Sequence, residues 1–142
     1  MKTAAYGATL LRMSLGIIML AHAYLKFGVF GLEGTAGFFA ANGFPAWTAW
    51  PVAFAELGGG LLLVLGVHTR LVALGLVPIL LGAIATHWNA GFYFTSSGGG
   101  WEFPALLLVL VGVQALVGDG AFALRLPTVL DPVQWFRAPA HR

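Results

Sequence analysis

The chain has 142 residues, of which 59% are hydrophobic and only 8% charged. Soluble domains average about 25% charged residues, so this deficit and a mean hydropathy of +0.88 exclude an ordinary water-soluble globule. The net charge of +2 comes with no Lys/Arg-rich stripe to track phosphates, which gives no basis for a nucleic-acid partner, and the absence of cysteine removes disulfides, thiolate catalysis, iron–sulfur clusters and Cys-based zinc sites together.

A membrane-spanning helix needs ~20 mostly apolar residues, and four such segments are predicted. The first covers residues 5–29 and contains LLRMSLGIIMLAHAYLKF, which carries Arg12, His22 and Lys26. On a helix turning about 100° per residue these three fall within an arc of roughly 80°. Charge in a membrane helix is costly unless it faces protein or water, so a polar stripe here needs partners. Lys2, the apolar run and Ala21-His22-Ala23 also resemble a signal peptide with its cleavage site. Arg12 interrupts that run, and the apolar character continues past the cut, so a retained helix is the preferred reading.

The connection GLEGTAGFFAANGFPAW is rich in Gly and small residues. A short interfacial helix is predicted at residues 35–42, ended by Gly43 and the turn at Pro45. Phe38, Phe39, Phe44, Trp47 and Trp50 suit the membrane–water interface. The second and third spans, residues 47–67 and 71–92, are joined so tightly that they form an antiparallel hairpin. Pro78 is expected to kink the third. A polar, Gly-rich loop, NAGFYFTSSGGGWEF, leads to the fourth span at residues 103–124, with Pro104 in its first turn. The predicted fold class is all-α: a four-transmembrane-helix bundle over residues 1–126 with one short interfacial helix. An irregular interfacial tail follows at residues 127–142. Lys2, Arg70, Arg125, Arg137 and Arg142 fall on one side, Glu33 and Glu102 on the other. Positive residues stay cytoplasmic, so both termini are expected inside.

Placed by distance along their helices, Arg12 and Glu56 come out at similar depth, and they are the first expected ion pair. Gly58, Gly59 and Gly60 follow at once, and small residues let helix backbones approach. His22, Lys26, His87 and Glu102 all lie toward the outer end. One outward polar pocket is therefore expected, holding His22, Lys26, Glu56, His87 and Glu102. Arg12 would be at its floor and Trp50, Trp88 and Trp101 at its rim. Each residue also has a plainer reading. Lys26 can snorkel to headgroups, Glu102 can favour a helix N-terminus, Arg12–Glu56 can be purely structural, and either histidine can be an interfacial one. No metal site is predicted, because the di-iron bundle pattern needs Glu-x-x-His on two helices and none occurs. No Ser/His/Asp arrangement, Walker loop or dinucleotide fingerprint is present.

LLRMSLGIIMLAHAYLKF, GFFAANGFP, AFAELGGGLLLVLGVHTRLVAL, HWNAGF and GGGWEFPALLL, in that order and spacing, resemble the DoxX family of small four-helix membrane proteins. Arg12, His22, Lys26, Glu56, Arg70, His87 and Glu102 match the family's recurrent polar positions. The resemblance implies a bacterial or archaeal cytoplasmic (inner) membrane protein with redox associations, the family name coming from a quinol-oxidase-associated subunit. Joined to the pocket, it implies a quinone head group or small redox substrate held by His22, Glu56, His87 and Glu102 as proton donors. Lys26 or Arg12 would stabilise negative charge developing on the ligand oxygen. A redox partner subunit would supply electrons. Alternatives are a non-catalytic anchor or assembly subunit of an oxidoreductase complex, and a small-molecule transporter, with a homodimer supplying further helices. Whether the chain is itself an enzyme stays open at this point.

Overall fold

The structure, a computed structural model, describes residues 2–124. The predicted tail at 127–142 lies outside the described residues. Five α-helices and short helical turns make up the described chain, with no strand among the described residues. They are α1 (Lys2–Tyr24), α2 (Gly31–Ala41), α3 (Ala49–Leu65), α4 (Thr69–His87) and α5 (Glu102–Val117).

The first predicted span is realised as α1 followed by a π-helical turn, Leu25–Val29. Its wider ring is closed by the Phe30 N–H donating to the Leu25 carbonyl at 2.8 Å. Gly28 permits this: a Cβ there would meet the Tyr24 ring at 2.9 Å. Gly31, at φ +69°, then turns the chain into α2, which begins four residues earlier than the predicted interfacial helix and ends one residue sooner. Thr35 and Ala36 form its buried side.

α3 ends in a Schellman motif. Gly66 adopts a left-handed conformation, its N–H donates to Leu63 O at 3.2 Å, and the Val67 N–H donates to Leu62 O at 2.9 Å. His68, also left-handed at φ 45°, starts α4 directly, so the antiparallel hairpin forms as predicted. α4 carries Pro78 in its interior. α5 is the shortest of the four bundle helices. The predicted span 103–124 is corrected: helix ends at Val117, because Gly118 and Gly120 take positive φ values of 81° and 72°. The chain then returns across the bundle end, with the Ala121 N–H donating to Ala5 O and the Leu124 N–H to Leu65 O.

α1 packs chiefly on α3, and α4 on α5; the α3–α4 hairpin and an α1–α5 contact close the ring. The α1–α3 crossing is set by two glycines. A Cβ on Gly16 would lie 2.8 Å from Val64 Cγ2, and one on Gly60 would lie 2.9 Å from Leu20 Cγ. The close approach expected from the glycine run is thus made chiefly by Gly60. Leu15, Met19, Leu63, Leu76, Leu80, Leu107 and Val111 form the core inside the ring. The outer faces are equally apolar: Leu10, Ile17, Phe54, Leu74, Leu106, Val109 and Leu116 are exposed. A helix apolar all round belongs in lipid or a large protein core. Three helices are long and apolar enough to cross a membrane, Thr3–Val29, Ala46–Leu65 and Thr69–Ala90, while Glu102–Val117 is shorter.

Candidate functional site

At one end of the bundle the C-terminal part of α1, the start of α3, the end of α4 and the start of α5 splay around a cavity of about 480 Å³. That volume lies within the ~300–1,000 Å³ range of small-molecule pockets. Met19, Leu80 and Leu107 form its apolar base, shared with the core. Phe38 and Phe39 of α2, with Phe44 beyond it, cover one side. Phe94, Gly99 and Gly100 of the loop before α5, then Phe103 and Pro104, cover another.

Four of the predicted residues meet in this lining: His22, Lys26, Glu56 and His87. Lys26, in the π-helical turn, reaches down to Glu56 on α3, and its ammonium donates to both carboxylate oxygens at 2.8 and 2.7 Å. The pair is well shielded, with the Lys26 and Glu56 side chains 15% and 7% exposed. A carboxylate buried this way persists as an ion only when paired and hydrogen-bonded. His22 Nδ1 lies 3.2 Å from the Ile18 carbonyl of its own helix. Its ring stands 6.3 Å from that of Phe103. His87 Nδ1 lies 3.1 Å from the Gly98 carbonyl, which ties the end of α4 to the glycine-rich loop. Thr48 and Thr86 hydroxyls donate to carbonyls of their own chain segments, Pro45 and Gly82.

The expected Arg12–Glu56 pair is corrected. In the register set by Gly16 and Gly60, Arg12 lies level with Leu63 and Val64, about eight residues or ~12 Å along α3 from Glu56. Arg12 sits at the opposite end of the bundle, 2% exposed. Its guanidinium donates to carbonyls of Asp119 (2.9 Å), Leu63 (2.9 Å), Val64 (2.5 Å) and Ala121 (3.1 Å). The depth estimate failed because it took helix ends from composition, and a few residues' error at each end accumulates along antiparallel helices.

Glu102 is not in the cavity lining; its carboxylate accepts the Phe94 N–H at 2.8 Å and so closes the loop that is. Trp88 and Trp101 stack at 5.2 Å, with Phe92 edge-on to Trp101 at 4.7 Å, and they too stand outside the lining, as does half-buried Trp50. Arg70 donates to the Ala115 carbonyl at 3.2 Å, far from the cavity end. Two features escaped sequence reasoning. Phe38, Phe39 and Phe44 were expected at the interface, yet they wall the cavity. Asp119, inside the predicted fourth span and given no role there, accepts from both the Thr69 hydroxyl (2.6 Å) and the Thr69 N–H (3.2 Å). Among the described residues no group of three or more His, Asp and Glu side chains converges as a metal site.

The DoxX family model matches residues 7–88. A protein of Bacillus subtilis (strain 168) named "Putative oxidoreductase CatD" is 39% identical over 124 residues, which cover 87% of this chain and 87% of that protein. No solved structure matches the chain. The family match takes in α1 through α4 almost completely, and with them His22, Lys26, Glu56 and His87. On these grounds the chain belongs to the DoxX family, as a membrane protein whose matched region carries all four ionisable residues of the cavity.

Proposed function

We infer that the protein is a redox-associated, multi-pass protein of a bacterial or archaeal cytoplasmic membrane that holds a quinone head group, or a small redox substrate of similar shape, in this cavity. The observation that carries the reading is the composition of the lining: one buried Lys–Glu pair, two histidines and two threonines in an otherwise aromatic and aliphatic chamber. Such a chamber suits a flat apolar ring with a few polar substituents. Intramembrane ionisable residues mark functional sites by default. The oxidoreductase in the name of the Bacillus subtilis relative supports the redox association.

In this reading α1, α3, α4 and α5 all cross the membrane. Lys2 and Arg70 lie on the cytoplasmic side and the cavity opens outward, in keeping with the positive-inside rule. A quinone supplies two-electron redox chemistry when bound, with electrons delivered from a partner subunit. The chain's own residues hold and orient the ring: Phe39 and Phe103 pack against it, and His22 and His87 exchange protons with its oxygens. The Lys26–Glu56 pair supplies a polar patch in the wall without adding net charge. Quinone extraction from protein purified in native-lipid discs tests the reading. We expect near-stoichiometric quinone, counted over its oxidised and reduced forms, with the native chain and several-fold less with a Lys26→Leu/Glu56→Leu double variant. No retained quinone together with no quinone-dependent redox activity would overturn it.

A further inference from the structure

The two cavity histidines are each held at one ring nitrogen. His22 Nδ1 meets the Ile18 carbonyl and His87 Nδ1 the Gly98 carbonyl. A carbonyl oxygen only accepts, so Nδ1 carries the proton in both rings. In the neutral imidazole that leaves Nε2 with a lone pair and nothing to donate. The rings stand on diagonal helices of the ring, α1 and α4, which share α3 and α5 as neighbours. The other polar groups are mostly satisfied. Two of the three ammonium hydrogens of Lys26 are taken by Glu56, and the Thr48 and Thr86 hydrogens by backbone carbonyls. The ionisable groups of the lining therefore offer two histidine acceptors on diagonal helices and one remaining ammonium hydrogen, with one cation cancelled by one anion.

We propose that the cavity selects the reduced, dihydroxy form of a ring ligand over its dicarbonyl form, each ligand hydroxyl donating to one histidine Nε2. This rests on the ring-ligand reading above and adds the form that is bound. Two ligand carbonyls would set acceptor against acceptor at both histidines, with the third Lys26 hydrogen able to serve only one of them, and unpaired buried polar atoms are what binding sites discriminate against most strongly. The balanced charge favours an uncharged ligand for the same reason: a bare charge entering here would be desolvated without a free counter-ion.

The test is calorimetric titration of the full chain in lipid nanodiscs, under anaerobic conditions, against empty discs. The probes are an alkyl-tailed benzohydroquinone, its benzoquinone and its dimethyl ether. The hydroquinone should bind about tenfold or more tightly than either of the others, as expected for one or two hydrogen bonds that they cannot make. His22→Phe and His87→Phe should each weaken hydroquinone binding by about tenfold and so narrow its advantage over benzoquinone. Benzoquinone binding as tightly as the hydroquinone, or a histidine variant that weakens both equally, overturns the selection and leaves the ring-ligand reading standing. Binding of none of the three probes overturns both. If a histidine variant does not fold, the three-probe comparison on the native chain decides alone.

Discussion

Glu56 and Lys26 illustrate what a residue inside an apolar helix must have. Each charge is shielded, and each satisfies the other through two short hydrogen bonds. Removing one partner strands the other, which costs ~3–5 kcal/mol for a buried pair, whereas replacing both with apolar residues is often neutral. Glu56→Gln should therefore lower stability toward the lower end of that range, given the residual exposure of Lys26. Lys26→Leu/Glu56→Leu should regain most of it, as read by thermal unfolding in detergent, while losing ligand. That the double variant folds but does not bind would separate the structural part of the pair from its functional part. At this scale the sequence was informative about which residues matter and uninformative about who pairs with whom. His22, Lys26, Glu56 and His87 stand out because polar groups are rare in such helices. Pairing depends on helix register, which composition does not specify to within a turn.

At the scale of elements, the register is set by backbone contact. Gly60 has no room for a side chain, while Gly112 has open space around its missing Cβ. Gly60→Ala should cost about 1–3 kcal/mol by overpacking, and Gly112→Ala should be neutral or stabilise by up to about 1 kcal/mol through helix propensity. Chemical denaturation of the two variants side by side checks the contrast. The glycine run was visible beforehand, and so was the α3–α4 hairpin, because so short a link leaves no other geometry. The end of α5 was not visible. Gly118-Asp119-Gly120 interrupts the apolar run, but Ala121 to Leu124 are apolar again, and the positive φ values at Gly118 and Gly120 show that the interruption ends the helix. Arg12 anchors that turn from a distance. Arg12→Lys should not restore what Arg12→Ala loses, because one ammonium cannot span four carbonyls in the way a planar fork of donors does. Proteolytic susceptibility at residues 118–124 should rise in both variants, and equal protection of Arg12→Lys and the native chain would contradict the clasp.

For the whole molecule, orientation is the property on which function rests, since it decides which compartment the cavity faces. The absence of cysteine makes it simple to measure. Ser97→Cys, on the loop beside the cavity, should react with a membrane-impermeant maleimide in intact cells. His68→Cys, in the α3–α4 hairpin, should react only after permeabilisation. The reverse pattern would invert the topology and with it the side from which a ligand is released. All-helical architecture and lipid compatibility were legible from hydropathy alone, because they depend on average composition. The cavity's aromatic cover was not, because Phe38 and Phe39 read equally well as interfacial anchors until the turn at Gly31 aims α2 over the opening.

The Arg12 clasp joins residues made far apart in time. Its partners Asp119 and Ala121 follow it in the chain by 107 and 109 residues. At ribosomal rates of about 5–20 residues per second, α1 emerges roughly 5–20 s before its last two carbonyl partners exist. During that interval the guanidinium has at most the α3 carbonyls to bind. The nascent bundle therefore stays open at the Arg12 end until Asp119 and Ala121 have been made, and a chain truncated before Asp119 would keep a half-satisfied buried cation, a mark by which membrane quality control can tell it from the closed bundle.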